Sequence, residues 1–342
     1  MNEQELQETA RALVAPGKGI LAADESTGTI EKRFKSIGVE STEDNRRAYR
    51  DLLFTTEGAE EFVSGVILYD ETIRQKASDG TPFAELLSAR GIVPGIKVDA
   101  GAKPLANAPD ETITEGLDGL RERLVEYRLL GARFTKWRAV LSIGEGTPSE
   151  YAIWTNAHAL ARFAGLSQEA GLVPIVEPEV LMDGTHSIET AYSVTGRTQN
   201  AVFTELHDQR IQLEGMLLKP NMVLSGYESS EQASVDEVAE MTLRCLYRHV
   251  PAAVPGIVFL SGGQSDEDAT AHLSAMNERG PHPWELSFSY GRALQAPALK
   301  AWRGDGANVE AAQRAYYQRA RLNGAARSGS YSPDMEEVGA AA

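Results

Sequence analysis

The chain has almost nothing from which to build a disulfide or metal framework. Of its 342 residues only Cys245 is a cysteine, so no internal disulfide can form and nothing points to an oxidising compartment. The six histidines, His158, His186, His207, His249, His272 and His282, show no close ligand spacing, so no metal site is expected. Each reads as an ordinary surface or half-buried histidine. No apolar run approaches the roughly 20 residues of a membrane-spanning helix. The start of the chain is acidic and polar, not basic and then apolar, so no signal peptide is visible and a cytoplasmic location is expected. Positive charge is scarce too. With 33 Lys and Arg against 49 Asp and Glu, the formal charge is −16, which argues against nucleic acid or an anionic membrane as partner. An anionic ligand would need basic residues gathered locally.

What is present is a rhythm. Short β-rich runs fall near residues 19–24, 65–69, 94–98, 133–140, 173–177, 216–219, 257–260 and 286–289. They start roughly 30 to 45 residues apart, with helical stretches between, as parallel strands joined by helical crossovers do. Leu117, Leu120, Leu124 and Tyr127 share one helix face, with Gly131 where a C-terminal cap belongs. Thr147-Pro148-Ser149-Glu150 reads as a capping box with proline at the first helical position. Eight such units predict an α/β fold, a single (β/α)8 TIM barrel. The domain, with an N-terminal helix, spans 1–324. Residues 325–342, small and polar, form an expected mobile tail.

Several of these strands end in charge. Lys219 closes Gly215–Leu218, Lys136 and Arg138 follow Phe134, Glu177 and Glu179 follow Val173–Val176, Lys97 and Asp99 follow Val93–Ile96, and Asp24 closes the first strand. Side chains alternate along a strand, so each such pair shares a face. In a parallel barrel these ends form the C-terminal mouth, where active sites lie. A buried lysine with its proton removed attacks ketones and aldehydes to form a Schiff base. An ordinary amine, pKa near 10.4, is neutral in only about one molecule in a few thousand at pH 7. Desolvation or a nearby cation must therefore assist Lys219. Lys136 is the candidate cation, and the glutamates could shuttle protons or serve simply as counter-ions. Burying so many charges is costly without a chemical role.

Two glycine turns form a second constellation: Ser261-Gly262-Gly263 after the seventh strand, and Ser289-Tyr290-Gly291-Arg292 after the eighth. That is the usual phosphate site of such barrels, glycine admitting phosphate to backbone N–H groups and Arg292 adding a bidentate donor. Ser26, Thr29, Arg33, Lys97 and Arg138 could hold another phosphate across the mouth. Two anion sites flanking one lysine suggest a bisphosphorylated sugar.

Between about residues 17 and 300 the chain closely resembles class I, Schiff-base-forming fructose-bisphosphate aldolase. The likeness rests on Gly-Ile-Leu-Ala-Ala-Asp-Glu-Ser-Thr-Gly at 19–28, Val-Glu-Pro-Glu at 176–179, Leu-Leu-Lys-Pro-Asn-Met at 217–222, Phe-Leu-Ser-Gly-Gly-Gln-Ser at 259–265 and Phe-Ser-Tyr-Gly-Arg-Ala-Leu-Gln at 288–295. The resemblance implies a cofactor-free, metal-independent lyase of glycolysis and gluconeogenesis acting on sugar phosphates, with a homotetramer expected. It implies that Lys219 forms the Schiff base, Glu177 dehydrates the carbinolamine, Asp24 assists loss of the C4 hydroxyl proton, Lys136 is the positive neighbour and Glu179 orients the lysines. Ser261, Gly262, Gly263, Ser289, Gly291 and Arg292 would then hold the C1 phosphate, with Arg33 in a mobile contacting region. Ser26, Lys97 and Arg138 would face the C6 phosphate and hydroxyls. Two departures stand out. Thr29 replaces the serine of many relatives but keeps the hydroxyl. The chain ends in Ala342 where animal members have a tyrosine, so removing the last ten residues is expected to leave turnover nearly intact.

Overall fold

Eight parallel strands close on themselves in sequence order in the computed structural model, which describes residues 2–337. They are β1 (Gly19–Ala22), β2 (Val63–Leu68), β3 (Val93–Lys97), β4 (Phe134–Leu141), β5 (Val173–Val180), β6 (Leu217–Leu218), β7 (Gly256–Phe259) and β8 (Glu285–Tyr290). All eight expected runs become barrel strands. A two-stranded hairpin pairing Ala102–Pro104 with Thr112–Thr114 also forms at the rim. No helix among the described residues is long and apolar enough to cross a membrane.

The barrel has two cores, because its strands are buried on both faces. The outer one lies between strands and helices and takes in Trp137, Phe163 and Phe259. The inner one stacks Ile20, Ile67, Phe134, Val173, Ile175, Leu217 and Val258 on Leu6, Ala10 and Leu13 of the helix Glu3–Leu13. That helix floors the barrel. Room for it and for Phe134 comes from glycine: a Cβ on Gly95 would fall 2.3 Å from the Phe134 ring, and one on Gly65 2.6 Å from Leu13 Cδ2.

Helix signals fare unevenly. Leu120, Leu124 and Tyr127 are buried as expected, and Gly131 has φ 106°. The capping box at 147–150 does not form. The helix begins at Glu150 with Ser149 as N-cap, its hydroxyl accepting from Ala152 N–H. Glu111 fixes that choice by accepting from Ser149 N–H at 2.7 Å and from its Oγ at 2.6 Å.

The boundary expected at 324/325 falls inside the helix Val309–Arg327, where Ala326 and Arg327 are buried, and Tyr331 beyond it is buried as well. Glu336 accepts from buried Arg319 Nη1 at 2.6 and 2.8 Å and from the Tyr331 hydroxyl at 3.0 Å. Val338–Ala342, the chain end that lacks tyrosine, lies outside the described residues. The ten-residue truncation therefore removes a contact of the barrel as well as the chain end. Deleting 333–342 should lower stability by about 1–3 kcal/mol more than deleting 338–342 alone, which leaves the Glu336 contacts in place; that is the scale of lost hydrogen bonds to a charged group. Thermal denaturation of the two truncated chains, with turnover measured on each, tests this separation.

Candidate active site

Going up the inner barrel face, the apolar floor gives way to charge. Phe134 is followed on its face by Lys136 and Arg138, Ile175 by Glu177 and Glu179, and Leu217 by Lys219, as strand alternation requires. Lys136, Glu177 and Lys219 are all nearly inaccessible, at 3, 3 and 4% exposure. Glu177 lies between the two lysines: Oε1 is 3.3 Å from Lys219 Nζ and Oε2 is 3.3 Å from Lys136 Nζ. Lys136 Nζ also pairs with Asp24 Oδ2 at 2.7 Å, brought in from the end of β1. The Glu177–Lys136 approach satisfies ion-pair distance without hydrogen-bond geometry, so Oε2 retains an unused lone pair.

Electrostatics separates the lysines. Burial opposes the charge on Lys136, but Asp24 and then Glu177 outweigh it and raise its pKa. Lys136 is thus held as a cation, which suits a charge neighbour and not a nucleophile. Burial alone would raise the pKa of Asp24, but Lys136, Lys219 and Lys97 bring it down to about 2. Its ordinary value is 3.8, so the ionised carboxylate stabilises the fold above about pH 4 and that contribution disappears as pH falls through about 2. The acid limb of an unfolding curve followed by circular dichroism should steepen in this window. Asp24→Asn should flatten it, and an unchanged slope would mean Asp24 is not coupled to folding.

At the rim, Arg138 is ion-paired to Glu179. Glu179 stands level with Val140 of β4, one pleat repeat beyond Glu177, where Arg138 reaches it. Lys97 pairs with Asp99 Oδ1 at 2.7 Å. Ser26 holds the N-cap position of the helix Thr27–Lys35 without a side-chain capping bond, its Oγ lying 3.1 Å from Thr29 Oγ1.

Across the mouth the two glycine turns meet. Gly262 and Gly263 have φ 59° and 109°, and a Cβ on Gly263 would come 3.0 Å from Arg292 Nη2 and 3.2 Å from the Tyr227 ring. Only glycine fits between them. Arg292 opens the helix Arg292–Trp302, whose free N–H groups favour an anion. Arg33 Nη2 would lie 3.6 Å from a Cβ on Gly291. Ser289 Oγ, also buried here, has no hydrogen-bond partner. A cleft of about 450 Å³ lined by Arg33, Gln264, Arg292 and Lys300 adjoins these turns. A larger groove of about 670 Å³ along Thr147, Glu189 and Arg197 contains none of the charged strand ends, so size is a poor guide to chemistry here.

The structure adds residues that the sequence reading missed. Buried Glu25 ion-pairs with both Arg33 and Arg50 and accepts from Gln295 Nε2 at 2.9 Å. Its only sequence signal was a second carboxylate beside Asp24. Tyr227 leans over the glycine turn, its hydroxyl 3.3 Å from Gly262 O. His272, expected at the surface or half-buried, is buried at 6% exposure.

Comparisons with known proteins identify the family and the fold. The family described as fructose-bisphosphate aldolase class-I matches residues 5–342. A probable fructose-bisphosphate aldolase class 1 of Xanthomonas axonopodis pv. citri is 60% identical over 332 residues, covering 97% of this chain and 99% of its own. The cytosolic fructose-bisphosphate aldolase 4 of Arabidopsis thaliana is 54% identical over 97% of this chain and 85% of its own. The solved structure of fructose-bisphosphate aldolase from Plasmodium falciparum, in ternary complex with TRAP and a small-molecule inhibitor, matches with a TM-score of 0.95 at 51% identity, covering 96% of this chain and 95% of that one.

Proposed function

Because the chain belongs to the class-I fructose-bisphosphate aldolase family, we propose that Lys219 is the amine on which its reaction runs. The enzyme is a carbon–carbon lyase that cleaves fructose 1,6-bisphosphate reversibly to dihydroxyacetone phosphate and glyceraldehyde 3-phosphate through a lysine Schiff base. The observation that carries the assignment of roles is Glu177, set 3.3 Å from both Lys219 and Lys136 in a buried site.

Neutral Lys219 Nζ attacks the C2 ketone, and Glu177, in reach of that nitrogen, takes up the proton the nitrogen sheds and passes it to the departing hydroxyl of the carbinolamine. The resulting iminium is an electron sink. Asp24, ionised and held by Lys136, assists removal of the C4 hydroxyl proton. The C3–C4 bond then breaks, its electron pair moves into the enamine, and the aldehyde departs. Protonation of the enamine and hydrolysis release the ketone and restore Lys219. Ser261, Gly262, Gly263, Ser289, Gly291 and Arg292, with Arg33, hold the C1 phosphate. Ser26, Thr29, Lys97 and Arg138 serve the C6 phosphate and sugar hydroxyls, and Glu179 sets Arg138.

A cytoplasmic homotetramer is the proposed working form, as membership of this family leads one to expect. Sedimentation gives the subunit number. The chemical test is borohydride reduction with dihydroxyacetone phosphate, followed by peptide mapping. A reduced adduct on Lys219 is expected. No adduct in folded protein would overturn the assignment, and an adduct on Lys136 would exchange the roles of the two lysines.

A further inference from the structure

Behind the glycine turn, one buried amide touches both halves of the site. Ser261-Gly262-Gly263-Gln264 closes as a turn, with Gln264 N–H donating to Ser261 O at 3.0 Å. The Gln264 side chain folds back onto the same carbonyl, Nε2 donating at 3.1 Å, and Nε2 also lies 3.7 Å from Met222 Sδ. Met222 follows Lys219 by three residues, and Leu260 N–H donates to Pro220 O at 3.1 Å. Gln264 is therefore wedged between the phosphate turn and the segment that carries the nucleophile. Its other end is held by His272, whose Nδ1 lies 2.6 Å from Gln264 Oε1.

The roles in this chain follow from its acceptor end. Ser261 O can only accept, so Nε2 of Gln264 faces it and Oε1 faces the imidazole, which must carry its proton on Nδ1. Burial, opposed in part by Asp268, pushes the His272 pKa down to about 4. The ring is neutral at ordinary pH and its tautomer is fixed by the glutamine. His272 sits on the helix Asp266–Glu278, two turns beyond the phosphate turn it supports.

We propose that His272 is a positioning residue, acting through Gln264 to fix the Ser261–Gly263 turn relative to Lys219 and so to set how the phosphate-bearing end of the ketone half is held. The inference rests on the reading of that turn as the C1 phosphate site. Removing the Nδ1 donor leaves Gln264 Oε1 buried without a partner and frees the amide to rotate away from Ser261 O.

The test compares His272→Leu, which fills the space without a donor, with His272→Asn, whose Nδ2 occupies the position of the imidazole Nδ1. Both are measured in the condensation direction on the full chain. His272→Leu should raise the KM for dihydroxyacetone phosphate about tenfold, with kcat within about threefold. The KM for glyceraldehyde 3-phosphate, whose phosphate binds across the mouth, should change less than about twofold. His272→Asn should restore the wild-type values. If His272→Leu does not fold, Gln264→Met carries the same test, since it removes the donor to Ser261 O and should raise the same KM selectively. Unchanged constants in a folded variant, equal rises for both substrates, or an asparagine variant as impaired as leucine would overturn the proposal. Borohydride trapping of the wild type separates the two readings: no adduct on Lys219 sinks the underlying assignment, whereas an adduct with a normal His272→Leu enzyme sinks this inference alone.

Discussion

Lys219→Ala is expected to lower kcat by at least about 10⁴-fold, the scale on which nucleophile removal acts in covalent enzymes, and to abolish borohydride trapping. Lys219→Arg should do the same, because a guanidinium cannot form the imine and stays charged. The fold should survive either change. Lys219 makes one carboxylate contact, at 3.3 Å, and Glu177 keeps Lys136 as a counter-ion when it is gone. The decisive comparison is a single-turnover assay alongside circular dichroism. A folded Lys219→Ala enzyme that retained more than about 1% of its turnover would place the covalent chemistry elsewhere.

Lys136→Met should cause the largest loss of stability, about 3–5 kcal/mol, as expected when one member of a buried ion cluster is removed. Asp24 loses its ion-pair partner and Glu177 keeps Lys219 alone, while methionine puts an apolar side chain between the two carboxylates. Because the Lys136 pKa is raised, its charge stabilises the fold throughout the neutral range and is lost only as pH rises above the ordinary lysine value. The defect of Lys136→Met should therefore be full at pH 7. It should shrink in acid, where the stranded carboxylates take up protons. Denaturant melts at pH 7 and pH 4 measure the difference, and a variant as stable as wild type at pH 7 would show that Asp24 and Glu177 do not need this cation. Turnover should fall as well, by about 10²–10⁴-fold, since proton transfer at both carboxylates is disturbed.

The strands were legible in the sequence because parallel barrel strands are apolar on both faces, and several run into charge where they reach the mouth. Even β6, two residues long as a ladder, was marked by Leu217-Leu218 running into Lys219. The lysines, Glu177 and Asp24 could be grouped for the same reason: alternation puts them on one face and the barrel brings their ends together. What was illegible depends on partners distant in sequence. Nothing near Ser149 announces that Glu111 will select it as N-cap. The small, polar composition after residue 324 conceals the docking of Glu336 on Arg319. The rim hairpin was missed because Ala102–Pro104 is exposed and carries no alternating pattern. The ion pair of Glu179 with Arg138 was not legible because its strand face is shared with Glu177, while its height along the strand depends on the register of β4 and β5.

The helix that floors the barrel precedes every strand in the chain, yet its seat is built from Phe134, Val173, Leu217 and Val258. Through most of synthesis Leu6, Ala10 and Leu13 have no surface to cover, and contacts of such long sequence separation form slowly. The last strand, β8, must arrive to pair with β1 before the sheet has no free edge. A nascent chain stopped short of Glu285 therefore leaves the edges of β1 and β7 unpaired. Interrupted synthesis of this enzyme yields material prone to aggregate, not a smaller working barrel.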